Sequence, residues 1–279
     1  MGAPVGARTY RGAMTRLTFP AYLDHIRSES ARLEAVLAAC DPEARVPACP
    51  DWSADDLLWH HSEVQWFWSE VVRRRPGGPP DDELRRGRAD THAGLVEQHA
   101  ESSASLVDAL SRADPAEAAW TWAPEQTVGF TYRRQAHESL IHRLDAEQAA
   151  GVASPLDPAL AADGVAELLE VMYGGEAPGW GRIEPGVQHV RLDLTDTGHA
   201  LWTQPCTFLG THPESGKVYD GPHVLLVADP GTEPDAVVSG TAADLDAWLW
   251  KRRERDAVTV EGDPAAFAAL LAAVGPPLD

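Results

Sequence analysis

The chain has 279 residues and is acidic, with 43 Asp and Glu against 23 Lys and Arg and a formal net charge of −20. Such a surface repels phosphate backbones, which argues against a nucleic-acid-binding function. No apolar run of about 18 residues occurs, so we expect no membrane span. The length is sufficient for two modest domains.

The cysteines, Cys40, Cys49 and Cys206, form neither a CxxC pair nor a dense disulfide pattern. This usage is typical of a reducing compartment, and we expect a cytoplasmic protein. Residues 1–16 contain arginines but no apolar stretch of the signal-peptide type. We therefore predict a disordered extension over 1–16.

Helical periodicity dominates the first part of the chain. Ser53 followed by Asp56 is typical of a helix N-terminus with a capping box. Helices are predicted over 19–40, 53–73, 89–111, 132–150 and 158–172, separated by breaks that contain Pro or Gly. The pattern predicts a four-helix bundle that extends to about residue 175.

The periodicity changes near residue 185. Residues 188–194 alternate between apolar and polar, which predicts a strand. Further strands are predicted over 200–203, 224–227, 236–238 and 257–260, and helices over 242–252 and 264–274. We place the domain boundary between Pro178 and Pro185. The predicted fold class is α+β, with the helical bundle followed by a smaller α/β domain over 185–279.

A candidate metal site comes from the fourth predicted helix, where Glu138 and His142 are separated by four residues. This spacing puts both side chains on one helix face, where they can reach a single ion. A polar helix face is more commonly just solvated. A third ligand must come from another helix, and His60 and His61 are both candidates. Periodicity favours His61 for the apolar stripe, but spacing does not decide between them.

The sequence His137-Glu138 with His142 invites comparison with the zinc-protease motif HExxH. The two histidines are five residues apart, about 140° around the helix, so they cannot bind one ion from the same face. Glu138 is therefore a ligand or a bystander, and not the general base of that motif.

Two segments resemble the signatures of a known family. Residues 49–60, which read CPDWSADDLLWH, are similar to CPxW[ST]xxxLxxH, and residues 134–147 are similar to RxAHExxxHRxDAE. Both signatures belong to the mycothiol-dependent maleylpyruvate isomerase-like family of the DinB-like superfamily. Residues 238–263 resemble the second domain of that family. The resemblance covers nearly the whole chain from Leu17 onward.

The resemblance implies a DinB-like metal-binding bundle over 17–178. It implies that His60, Glu138 and His142 are the metal ligands, and it selects His60 over His61 because His60 lies eleven residues after Cys49. The implied cofactor is a divalent metal, with Zn²⁺ as the first choice.

The family also uses an arginine of its second domain near the active site. Arg252 is the best match in this sequence, although Arg253 and Arg255 stand close to it. The chain departs from the family pattern in having Trp59 and His61 beside His60, where small and aliphatic residues are usual. This departure predicts a different substrate pocket.

The resemblance implies an enzyme that activates mycothiol, a low-molecular-weight thiol, for S-transfer to a small electrophile or for its thiol-assisted isomerisation. Three protein ligands leave one metal position open, where a thiol loses its proton. Two alternatives are a non-catalytic DinB-like metal- or partner-binding protein and a metal-dependent hydrolase that uses bound water. We expect neither nucleic acid nor membrane as a partner.

Overall fold

A computed structural model describes residues 15–276 and 278. They form two compact units, an N-terminal unit of Leu17–Leu156 and a C-terminal unit that contains the described residues from Asp157 onward together with Thr15 and Arg16. Oγ1 of Thr15 lies 3.5 Å from Oδ1 of Asp163, and Nη2 of Arg16 lies 3.8 Å from Oε2 of Glu170. The rest of the predicted extension, 1–14, lies outside the described residues. Within the described ranges, no helix has the length and apolarity needed to cross a membrane.

The N-terminal unit is a bundle of helices, which confirms the prediction for this half. Its elements are α1 (Phe19–Ala38), a hairpin of β1 (Arg45–Val46) and β2 (Cys49–Ser53), α2 (Ala54–Arg74), α3 (His92–Ser111) and α4 (Val128–Ala150). A Ser or Thr side chain caps the start of each helix by accepting a backbone N–H: Thr18, Ser53, Thr91 and Thr127. The predicted capping box of Ser53 and Asp56 is present.

The centre of the bundle is formed by α1 packed on α4 and by α2 packed on α3. Leucines fill much of this core, among them Leu33, Leu37 and Leu57, each fully buried. α4 differs from the other helices because it is buried on almost every side and still carries charged residues. Buried charges are unfavourable unless they are paired, so the polar residues of α4 need specific partners.

α4 begins at Val128, four residues before the predicted start at 132. The earlier start follows from Thr127, whose hydroxyl accepts the N–H of Phe130 at 3.3 Å. Gly151 ends the helix with a φ of +68°, a left-handed conformation that glycine adopts without steric cost. This end agrees with the predicted one.

The C-terminal unit combines a mixed sheet with helices. Its elements are α5 (Pro158–Glu167) followed by a π-helical turn (Leu168–Met172), β3 (Gly181–Pro185), β4 (Val190–Leu194), β5 (His199–Thr211), β6 (Val218–Val227), β7 (Ala236–Gly240), α6 (Ala242–Leu249), β8 (Thr259–Gly262) and α7 (Pro264–Val274). The long strand β5 pairs antiparallel with β6, β3 and β4. β4 pairs parallel with β7, which pairs antiparallel with β8. The predicted α+β class is confirmed.

Two features of this unit differ from the sequence-based predictions. β3 was not predicted, and β5 and β6 are much longer than the predicted 200–203 and 224–227. α6 ends at Leu249 rather than at Arg252. It ends there because Lys251 adopts a φ of +64° and the N–H of Arg252 turns back to the carbonyl of Ala247 at 2.7 Å.

The chain passes from the first unit to the second between Leu156 and Asp157, whereas the sequence placed the domain boundary between Pro178 and Pro185. The reason is the packing of α5, which lies against α6 in the C-terminal unit. The fifth predicted helix is therefore the first element of the C-terminal unit and not an extension of the bundle.

Candidate metal centre

Three predicted site residues from two helices converge inside the bundle. Nε2 of His60 on α2 lies 3.6 Å from Oε1 of Glu138 on α4, and Nε2 of His142 lies 3.1 Å from the same oxygen. One ligand atom from each residue lies within 4.8 Å of the others. The structure thus brings together two imidazole nitrogens and a carboxylate oxygen, which we call the His-Glu-His cluster.

The hairpin before α2 helps to position both imidazoles. The ring of Trp52 on β2 lies 4.6 Å from that of His60 and 6.3 Å from that of His142, measured between centroids. Ser53 then fixes the start of α2 through its capping box. The first signature segment therefore supplies a ligand candidate, the cap that sets its helix and an aromatic ring beside the cluster.

Two further residues of α4 orient its members of the cluster. Nδ1 of His142 lies 3.0 Å from Oδ2 of the fully buried Asp145, which accepts the Nδ1 proton and turns Nε2 towards the cluster. Nη2 of Arg134 donates to Oε2 of Glu138 at 3.2 Å, which leaves Oε1 for the histidines. Such second-layer contacts are typical of metal sites.

The electrostatics of the cluster favour positive charge. Burial would raise the pKa of Glu138, but the imidazoles of His142 and His60 and the charge of Arg134 hold this pKa well below its usual range. Burial would lower the pKa of His142, but Asp145 and Glu138 outweigh it and raise this pKa to about 9. In the absence of a metal, the two carboxylates thus attract a proton to His142, as they would attract a cation.

The donor set fits a divalent cation. Nε2 of His60 is buried and has no hydrogen-bond partner among the residues that the structure describes. A buried ring nitrogen of this kind needs a partner. Two imidazoles and one carboxylate also form the protein ligand set of known catalytic zinc sites.

His61, the other candidate, lies in a different network. Its Nδ1 is 2.9 Å from Nε2 of His99, whose Nδ1 is 3.0 Å from Oε2 of Glu34. Burial, reinforced by His99, lowers the pKa of His61 well below its usual value. The His-Glu-His cluster therefore contains His60, while His61 is a buried core histidine as periodicity indicated.

The second signature segment also contains residues that hold the bundle together. Nε of Arg143 donates to Glu29 at 2.6 Å, and Nη1 donates to Glu147 at 3.1 Å. Glu147 also accepts from Arg32 and Ser154. We call these five residues the Arg143 network. It joins α1, α4 and the segment after α4.

Arg252, the predicted catalytic arginine, lies in the C-terminal unit and is buried. Its Nη1 donates to the carbonyl of Trp250 at 2.7 Å and to that of Leu278 at 3.5 Å. Arg253 is half-exposed and pairs with Asp244 at 2.8 Å. Arg255 donates to the carbonyl of Val258 at 2.7 Å.

Two polar residues of α4 that precede the cluster were not predicted as site residues. Thr131 and Gln135 precede Glu138 on the same face of α4 and are fully buried. Their spacing relative to Glu138 and His142 was a usable signal, because i, i+4, i+7 and i+11 fall on one helix face. The spacing alone does not reveal that they are buried or whether they have partners.

Comparison with known proteins identifies the family. Residues 23–147 match the family model of the mycothiol maleylpyruvate isomerase N-terminal domain. Residues 159–269 match that of the MDMPI C-terminal domain. The chain belongs to the mycothiol-dependent maleylpyruvate isomerase-like family. The two matches fall within the N- and C-terminal units, one on each side of the boundary at Leu156.

Solved structures with the same fold include the crystal structure of a mycothiol-dependent maleylpyruvate isomerase. It has a TM-score of 0.59 and 16% sequence identity, and the match covers 88% of this chain and 93% of that one. A histidine-to-alanine mutant of that isomerase has a TM-score of 0.59 and 15% identity, with the same coverage. At this identity the likeness is one of fold. Among curated proteins, none matches the chain.

Proposed function

We propose that this protein is a metal-dependent enzyme that activates mycothiol for thiol-assisted isomerisation of, or S-transfer to, a small electrophile. The observation that carries the proposal is the convergence of His60, Glu138 and His142, in a chain of this family. The contacts of Asp145 and Arg134 to the cluster support it, since a merely solvated helix face would not need them.

In this proposal, the His-Glu-His cluster holds one divalent cation, with Zn²⁺ as the first choice. A cation bound by three protein groups with one open position lowers the pKa of a thiol that coordinates it. Asp145 keeps Nε2 of His142 directed towards the cluster, and Arg134 holds one oxygen of Glu138. The ring of Trp52 lies beside both imidazoles.

The proposed chemistry is nucleophilic attack by the thiolate of mycothiol. In isomerisation, sulfur adds to a cis double bond, the resulting single bond rotates, and elimination of the thiolate leaves the trans alkene. In S-transfer, a C–S bond forms as a leaving group departs with its electron pair. Both reactions need the same activated sulfur, so the cluster serves either.

Turnover is expected to require an added thiol, because the chain's own cysteines are poorly placed for attack. Burial raises the pKa of Cys206 to about 11 and also raises that of Cys40. The thiolate is the nucleophilic form, so a raised pKa lowers reactivity. Cys49, in β2, packs against the leucine core.

The measurement is product formation with and without mycothiol, in wild type and in Cys49→Ser. We expect no turnover without the thiol and most of the wild-type turnover in Cys49→Ser. Turnover without any thiol would favour the hydrolase. A folded, metal-containing Cys49→Ser without activity would make Cys49 the nucleophile.

We also propose that Arg252 binds an anionic group of the thiol or the substrate, since a guanidinium binds two carboxylate oxygens at once. Arg252→Ala is expected to lower kcat/KM about tenfold and to leave metal content unchanged. Arg253→Ala is the matched control, because its side chain is half-exposed and pairs with Asp244. Steady-state kinetics should separate the two variants. Wild-type kinetics in both would remove Arg252 from the mechanism.

A further inference from the structure

A buried polar stripe on α4 continues from the His-Glu-His cluster towards the start of the helix. Thr131, Gln135, Glu138 and His142 stand at i, i+4, i+7 and i+11, within about 60° around the helix axis. Thr131 and Gln135 are both 0% exposed. Neither the Thr131 hydroxyl nor either amide atom of Gln135 has a hydrogen-bond partner in the described part of the chain.

The neighbouring helix α2 shows where this stripe lies. His60 meets Glu138 at 3.6 Å, and the ring of Trp68 lies 5.9 Å from that of Phe130. His60 and Trp68 are eight positions apart on α2, and their partners Glu138 and Phe130 are eight positions apart on α4 in the reverse order. The helices α2 and α4 therefore run antiparallel here. Gln135 therefore lies in the interval between the cluster and the Trp68–Phe130 contact.

A cavity occupies the same interval of α2. It has a volume of about 310 Å³ and borders His60 of the cluster. Its other lining residues are Glu63, Val64, Trp66, Phe67, Trp68 and Arg85. The cavity thus reaches the cluster through His60 and follows α2 as far as Trp68.

Part of this polar interior is paired and part is not. Nε2 of Gln65 donates to Ser30 at 2.7 Å and to Ser139 at 3.4 Å, while Oε1 of Gln65 and Nε2 of His61 have no partner among the described residues. Buried amides and hydroxyls in native proteins are almost always paired. A fully buried glutamine without a partner lowers stability, and such costs are typical of residues that serve a function.

We propose that Gln135, together with Thr131, binds a polar group of the substrate or of the thiol next to the cluster. A carboxamide offers donors on one side and an acceptor on the other. The complementary group has an adjacent acceptor and donor, as in an amide or a protonated carboxyl group. This inference rests on the proposed function, because it takes the cluster as the place of reaction.

The test uses substitutions of similar shape, Gln135→Leu and Thr131→Val. Because they remove buried groups that lack a protein partner, we expect the Tm of each variant to equal or exceed that of wild type. Metal content should stay unchanged. The kcat/KM of Gln135→Leu should fall about tenfold or more. The KM should rise for the co-substrate that carries the polar group bound by Gln135. This result identifies either the thiol or the electrophile as the carrier of that group.

Thr121→Val is the matched control in the same unit. The Thr121 side chain is also buried, at 4% exposure, but its hydroxyl donates to the carbonyl of Glu125 at 2.8 Å. This variant should have a lower Tm and wild-type kinetics. If Gln135→Leu does not fold, Gln135→Met replaces it in the test, since methionine keeps the unbranched shape of the glutamine side chain.

Wild-type kinetic constants for both co-substrates in the Gln135 variant would overturn the inference. A fall in Tm as large as that of Thr121→Val would also overturn it, because Gln135 would then stabilise the bundle. In either case the proposed function stands as long as wild type shows thiol-dependent turnover. Wild-type protein without such turnover would refute the proposed function and, with it, this inference.

Discussion

Replacing His142 by alanine is expected to remove the bound divalent metal and to lower thiol-dependent turnover at least about 100-fold. His142 provides one of three donors in the cluster, and Asp145 fixes its orientation. Without it, the remaining imidazole and Glu138 form too weak a site for a divalent ion. Elemental analysis of the purified variant and a steady-state assay with mycothiol measure both effects, and circular dichroism confirms the fold.

His61→Ala is the sharpest control for this variant. His61 is a buried histidine next to His60 in the chain, and its ring lies 6.0 Å from that of His142, yet its partner is His99. We expect His61→Ala to keep its metal and His60→Ala to lose it. Full metal retention in His142→Ala would contradict the ligand assignment. Loss of metal in His61→Ala with retention in His60→Ala would identify His61 as the ligand.

The cluster shows what helical spacing can and cannot predict. The four-residue separation of Glu138 and His142 is enough to put them on one face, because this depends only on the geometry of one helix. The choice between His60 and His61 depends on the rotation of α2 relative to α4. That rotation depends on contacts between distant parts of the chain, such as that of the Trp52 ring with the His142 ring. The family signature supplied this information, and spacing did not.

The same distinction applies to the fold. The helices of the bundle were predicted because apolar residues recur at helical spacing within each segment. β5 and β6 were predicted too short because their outer halves contain Gly210, Gly221 and Pro222, which are disfavoured in strands. Those halves form a ladder only because the two strands pair with each other, and β5 also with β3. Such pairing is not visible in a local window of sequence.

Charged residues that lie close together in the sequence of α4 have different roles. Asp145 and Arg143 both belong to the second signature segment, but Asp145 contacts His142 while Arg143 contacts Glu29 and Glu147. Asp145 follows His142 by three residues, a spacing that puts both side chains on one helix face. The role of Arg143 depends on Glu29 of α1, more than a hundred positions earlier in the chain, and only the structure reveals this contact.

Arg143→Ala is expected to lower the free energy of unfolding by about 3–5 kcal/mol, because it leaves the carboxylate of Glu29 without its cation and removes one of the two arginines that pair with the buried Glu147. The Arg143 side chain is 3% exposed, and those of Glu29 and Glu147 are 11% and 1% exposed. Arg112→Ala is the matched control on the bundle surface. Its side chain is 77% exposed and pairs with Asp108 at 2.7 Å, so we expect a change of at most about 0.5 kcal/mol.

Urea unfolding followed by far-ultraviolet circular dichroism measures both changes. The contrast is informative because the two arginines form ion pairs of similar length in the same bundle and differ mainly in burial. Removal of one partner of a buried ion pair lowers the free energy of unfolding strongly, since the other charge stays in a poorly solvated place. An exposed pair loses little, since water and salt replace the missing partner. Equal effects in the two variants would show that the Arg143 network does not hold the bundle together, and that its place in the signature needs a role other than stability.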